Sequence, residues 1–252
     1  MGRKRGVVIL SAALAVMLLV SCGKKEEKNG DGYIEEESIP YEQLSKSSAA
    51  KFSNEDLKFD GARMGMTPDE VKKILGEPDE DRTAAAEANP ERIFVYNGEN
   101  GKSTLFFWNA GGVMKLCGVE CTDPLRNIAR NTKVGMDMDS VRDVFYRDEN
   151  ALNANIMSED NATILGKFLY GDKTLDKLED RKIKEKIEYG IINYNGTPTL
   201  EAGGSILEYM CFEPPFKGDY ASYDDDYSQL MYYTDSSRKV VKICWYYYPE
   251  IS

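Results

Sequence analysis

The densest chemistry in this 252-residue chain lies between Asp219 and Tyr227, where Tyr220, Tyr223, Asp224, Asp225, Asp226 and Tyr227 alternate aromatic area with negative charge. Three readings compete. The stretch follows Pro214-Pro215 and reads by default as a solvated loop. Its oxygens could ligate Ca²⁺, but the glycine and distal bidentate Glu of an EF-hand loop are missing. As a recognition loop it is well composed, since Tyr brings contact area at low entropic cost and Asp brings charge complementarity. The last strand-like run supplies a second aromatic set. In a strand Trp245 and Tyr247 face one way, and Tyr246 and Tyr248 the other. One set can pack a core, and the other, taken as Tyr246 and Tyr248, lines a sheet face that could receive a partner.

Catalytic chemistry is narrowly bounded. The chain has no His, which removes Ser-His-Asp and Cys-His activation, the H-E-x-x-H zinc motif and imidazole bases. Paired carboxylates could hydrolyse without His, but no motif singles out a pair among 43 acidic residues. Gly101-Lys102-Ser103 has the tail of a P-loop, yet Tyr96 stands where its first Gly is required, and the stretch lies between strands. Cys117 and Cys121 are expected on the same face of one strand, about 13 Å apart, too far to bridge each other. Cys211 and Cys244 fall on different strands and form the candidate disulfide, with buried free thiols as the other reading. The C-x-x-C pairs of a thiolate zinc site are absent. No metal and no cofactor is expected.

The N-terminus sets the location. Arg3, Lys4 and Arg5 precede an apolar run from Val7 to Val20, then Ser21-Cys22-Gly23. Residues 1–21 read as a signal peptide. The sequence around Cys22 is similar to a bacterial lipobox, in which this Cys carries the lipid and becomes the mature N-terminus. An extracytoplasmic protein held at a membrane through Cys22 is expected; stable anchoring takes more than one acyl chain. Loss of the leader's three basic residues takes the formal charge from −11 to −14. That charge repels phosphate backbones, so nucleic acid is an unsuitable partner. Residues 22–53, rich in Lys, Glu and Ser, read as a flexible tether.

Two stretches position the remainder. Gly65-Met66-Thr67-Pro68-Asp69-Glu70-Val71 is echoed 70 residues later by Gly135-Met136-Asp137-Met138-Asp139-Ser140-Val141. The first predicts a helix with a Thr67/Glu70 capping box, Pro68 at its first position, a Met66/Val71 staple and a Gly76-x-Pro78 stop. The second predicts a helix capped by Asp137 that can continue past Tyr146. After the first helix, Asp79 to Asn89 reads as a loop or short helix. Strands are expected at Ile93–Tyr96, Ser103–Trp108 and Val113–Cys121, with turns at Asn97–Gly101 and Asn109–Gly112. Ala151 to Lys186 is an insertion with a charged, helix-compatible segment from Thr174. Strands follow at Ile187–Tyr194, Ile206–Phe212, Leu230–Thr234 and Val240–Tyr248.

The lipobox, the G-M-T-x-x-E-V-x-x-x-L-G-x-P helix and the meander together resemble the SmpA/OmlA (BamE-like) lipoprotein domain. The tandem arrangement is similar to the β-lactamase-inhibitor-protein-like fold. That resemblance implies an α+β fold of two helix–antiparallel-meander repeats, residues 54–123 and 124–252, forming a curved sheet with helices on one face. It also implies action by binding proteins rather than by catalysis. The expectation is a non-enzymatic, surface-anchored protein binder. The alternatives are a structural or assembly factor of the cell envelope and a His-free carboxylate hydrolase.

Overall fold

Nearly every apolar or alternating run that ends in a Gly-, Asn- or Asp-containing turn becomes a strand in the computed structural model, which describes residues 47–85, 90–110, 112–148, 153–157, 163–171, 188–194, 204–212 and 227–248. A small hairpin, β1 (Lys58–Phe59) and β2 (Ala62–Arg63), turns through Asp60 and Gly61, both at positive φ. Helix α1 (Pro68–Leu75) follows, then β3 (Glu80–Ala85), β4 (Pro90–Asn97), β5 (Lys102–Ala110) and β6 (Val113–Cys121). Helix α2 (Met138–Asp143) leads to β7 (Asn153–Met157), β8 (Thr163–Tyr170), β9 (Tyr189–Asn193), β10 (Ser205–Cys211), β11 (Tyr227–Thr234) and β12 (Val240–Tyr248). Strands β3 to β12 form one antiparallel sheet in the order β3-β4-β5-β6-β12-β11-β10-β9-β8-β7, with β6 and β12 joining the two halves.

This overturns the expected α+β architecture of tandem repeats with helices packed on one face of a curved sheet. The described residues are mostly strand, with two helices of eight and six residues. Two turns of α1 bury only Pro68 and Val71, and Ile74 stays 44% exposed. Helices this small cannot cover ten strands. The sheet's main face is instead packed by irregular chain together with the short β1 and α2. Phe52, Leu57 and Phe59 before α1, and Ile128, Met138 and Phe145 around α2, join one core with Phe107, Trp245, Tyr232 and Tyr209 from the strands.

Local chemistry explains the element ends. In α1, Thr67 Oγ1 accepts from the Glu70 amide at 3.4 Å, and Glu70 Oε2 accepts from the Thr67 amide at 2.8 Å. The hydrogen bond from the Thr67 backbone holds the Glu70 carboxyl below its ordinary pKa. Gly76, at φ 85°, ends the helix in a conformation that suits glycine. In α2, Asp137 occupies the cap position, but its carboxylate pairs with Lys239 at 2.8 Å and caps no amide. This helix ends at Asp143 rather than running past Tyr146. The Val144 carbonyl accepts from Arg130 Nη1 at 2.6 Å, and the Tyr146 amide donates to the Ala50 carbonyl at 3.0 Å.

Arg130 is the hub of that cover. It donates to Asp56 through Nε and Nη2, both at 2.8 Å, and to the carbonyls of Ala50 and Lys51, both at 2.8 Å. Its guanidinium lies 4.4 Å from the Phe145 ring centroid. Residues 47–53, expected in the tether, are therefore packed here, and Phe52 is buried between Phe145 and Tyr209. Residues 79–89 also differ from expectation: 80–85 form edge strand β3. An edge strand tolerates polar side chains on both faces, which hides it from periodicity. Asp81 bridges Lys72 of α1 and Arg92 of β4, and the Arg92 hydrogen bond lowers its carboxyl to about 2. The segment from Thr174 to Lys186 lies outside the described residues.

Candidate functional site

The second face of the sheet carries the side chains that alternate with the main core, and strand register arranges them in rows. One row runs Phe106, Gly118, Tyr246, Gln229, Met210 and Tyr189 across β5, β6, β12, β11, β10 and β9. The next runs Glu120, Cys244, Met231, Glu208 and Ile191 across β6 to β9. A third places Lys242 beside Tyr233 and Ile206. Ile206, Met231 and Cys244 are buried and form a small second cluster, flanked by half-buried Tyr233 and Tyr246. Strands β9 to β12 thus bury residues on both faces, which is why they read as near-continuous apolar runs.

Two charged centres interrupt that surface. At the first, Glu120 pairs with Lys242 at 3.0 Å and accepts a hydrogen bond from the Tyr246 hydroxyl. The Lys242 ammonium lies 5.3 Å from the Tyr233 ring centroid. Burial pulls its pKa down, but the neighbouring Cys244 sulfur and Glu120 carboxylate outweigh that, so the net shift is upward. Burial pushes the Cys244 thiol and the Tyr233 hydroxyl well up, so neither is ionised near neutrality. Gly118 makes room for the side of the Tyr246 ring. A Cβ there would come within 2.7 Å of the Tyr246 ring, which packs 6.0 Å from Phe106.

At the second centre, Glu208 Oε1 accepts from Gln229 Nε2 at 2.6 Å and from the Tyr189 hydroxyl at 3.3 Å. Both donors are neutral. Desolvation raises the Glu208 carboxyl pKa, and the two hydrogen bonds only partly oppose it. Tyr189 stands edge-on to Phe168 at 5.8 Å, and Tyr227 contacts Phe212 at 6.0 Å. Burial, with Glu208 as a minor contributor, also raises Tyr227. Glu120 and Glu208 share a row but stand three strands apart, about 14 Å. Paired-carboxylate glycoside hydrolysis uses separations up to about 9.5 Å, so this pair does not fit it.

Of the sequence candidates, Tyr246 and Tyr227 lie on this face, and Tyr248 is paired with Tyr227 in backbone register. Trp245 and Tyr247 are buried on the opposite side, with Trp245 in the main core. Tyr220, Tyr223, Asp224, Asp225, Asp226 and the lipid-acceptor Cys22 lie outside the described residues. The candidate disulfide is corrected: Cys211 and Cys244 are free and buried. They sit two strands apart with a three-residue offset, on opposite faces, well beyond the roughly 7 Å Cα limit for a bridge. Cys117 and Cys121 part at a bulge that leaves Cys117 unpaired between Leu116 and Gly118, and only Cys121 joins the main cluster. Burial pushes the Cys117 thiol up to about 12.

Sequence reading passed over Glu208, Glu120 and Lys242. The available signal was a lone charge inside the otherwise apolar runs Ile206–Phe212 and Val240–Tyr248, and in Val113–Cys121 a Glu120 that follows four uncharged residues after Lys115. Among the described residues no group of three His, Cys, Asp or Glu side chains could hold a metal ion, and no helix is long and apolar enough to cross a membrane. The chain matches no protein-family model, no curated protein and no solved structure.

Proposed function

We propose that this chain is an extracytoplasmic lipoprotein, held at a bacterial membrane through lipid on Cys22, that binds another protein on the second face of its sheet. One observation carries the reading. Half-buried aromatic side chains from several strands, Phe106, Tyr246, Tyr233, Tyr227 and Tyr189, share a face with two carboxylates. Aromatic anchors with polar tips around a partly desolvated centre are the composition that concentrates binding energy at protein interfaces. The acidic balance of the chain favours a basic partner surface. The likeness of the 65–78 motif to SmpA/OmlA lipoproteins points in the same direction.

The test has two parts. Metabolic labelling with a fatty acid should mark the wild type and leave Cys22→Ala unlabelled. Crosslinking on intact cells should capture one recurrent partner that the Tyr233→Ala/Tyr246→Ala double variant loses while remaining folded. A partner kept by that variant would place the interface elsewhere. Absence of any partner from the wild type would overturn the binding reading.

A further inference from the structure

The two carboxylates of the second face share a cross-strand row but differ in one respect. Glu120 has a cation, Lys242, at 3.0 Å. Glu208 has no Lys or Arg partner among the described residues: its hydrogen bonds come from Gln229 and Tyr189 alone, both to Oε1. It is flanked in the row by Met231 and Ile191 and along the strand by Ile206, all buried. An ionised carboxylate among apolar groups is retained at a cost unless a counter-charge arrives. The aromatic rings of Tyr189 and Tyr227 on the same face suit a cation as well.

We propose that Glu208 is the seat for one cationic side chain, an arginine or lysine presented by the protein that docks on this face. The proposal rests on the protein-binding reading and names the chemistry of its contact. The incoming cation completes a charge-assisted hydrogen bond at the carboxylate, while Gln229 and Tyr189 keep that group oriented. Tyr233 and Tyr246, already engaged at the Glu120–Lys242 centre, form the neighbouring apolar contact. No proton is exchanged and no bond is made or broken in this step.

The full chain in non-ionic detergent micelles would be titrated with acetyl-Gly-Arg-Gly-amide and with its neutral citrulline counterpart, following the side-chain amide of Gln229 by NMR. The expected result is saturable binding of the arginine peptide at millimolar concentration, at least roughly tenfold weaker binding of the citrulline peptide, and a similar loss in Glu208→Gln. Glu208→Asp, which keeps the charge on a shorter stem, should fall between. Equal response to both peptides, undiminished binding by Glu208→Gln, or no response up to about 10 mM arginine peptide would overturn the proposal. Crosslinking separates this outcome from failure of the broader reading. A partner captured by Glu208→Gln but lost by Tyr233→Ala/Tyr246→Ala overturns the cation seat alone, whereas absence of a wild-type partner overturns the interface itself.

Discussion

Trp245 and Tyr246 are adjacent in sequence and live in different physical worlds. Trp245 is fully buried in the main core with Tyr209, Tyr232 and Phe145. Tyr246 lies on the other side of the same strand, half-buried across Gly118, with its hydroxyl on Glu120. The main face is covered by chain segments clamped together through Arg130, and its aromatic rings pack against one another. The second face carries its charges inside apolar strands. The comparison shows strand alternation dividing one sheet between a fully packed face and a half-buried aromatic and charged face, the one proposed for recognition, and the division is testable residue by residue.

The largest expected effect lies on the main face. Trp245→Ala should cost about 3–5 kcal/mol of stability, against about 1 kcal/mol for Tyr246→Ala, read from chemical denaturation midpoints. Similar losses would collapse the distinction between faces. Next comes the clamp. Arg130→Ala should cost about 2 kcal/mol or more, because Asp56 and three carbonyls lose their donor. Limited proteolysis should then cut first within residues 47–56; unchanged protection there would show that Phe52 and the backbone hydrogen bonds of Ser47 and Ala50 hold the segment without Arg130.

Glu208→Gln should act with the opposite sign. The folded-state pKa of Glu208 is raised above its unfolded value by desolvation. Its contribution to stability is therefore fully present below the unfolded pKa, near 4.3, and is lost as pH rises through the folded value. The Gln variant should match the wild type in acid and exceed it near neutrality, read as a higher Tm. Tyr227, the neighbouring hydroxyl that burial raises, titrates only in base and leaves that window unaffected. A variant less stable than wild type at pH 7 would contradict the desolvation argument. The smallest effect is Gly118→Ala. The backbone tolerates Ala there, and the cost, about 1 kcal/mol, is that of moving the Tyr246 ring, which a Cβ would meet at 2.7 Å. The Tyr246 ring must shift, visible in tyrosine side-chain NMR signals, and partner capture should weaken.

Much of the frame was legible in the sequence because its causes are local. The Thr67/Glu70 box, β4 to β6 and β9 to β12 follow from capping and strand patterning, and the split of Trp245 from Tyr246 follows from period two. What escaped reading depends on distant partners. Strand β3 is polar because it lies at an edge. The end of α2 is set by Arg130 and Ala50 rather than by a local stop. The bulge at Cys117 shifts alternation within β6, and the choice between a Cys211–Cys244 bridge and free thiols is decided, in favour of free thiols, by a register that only strand pairing fixes. Glu208 stood in plain sight as the one charge in its strand, but that no Lys or Arg among the described residues pairs with it depends on the whole sheet.

The most direct measurement is crosslinked partner capture on intact cells by wild type and by Tyr233→Ala/Tyr246→Ala, with each protein's thermal unfolding recorded in parallel. The account predicts a cooperative transition within a few degrees of wild type and loss of the recurrent partner in the double variant. An equally folded variant that still captures the partner would contradict the assignment of recognition to the second face.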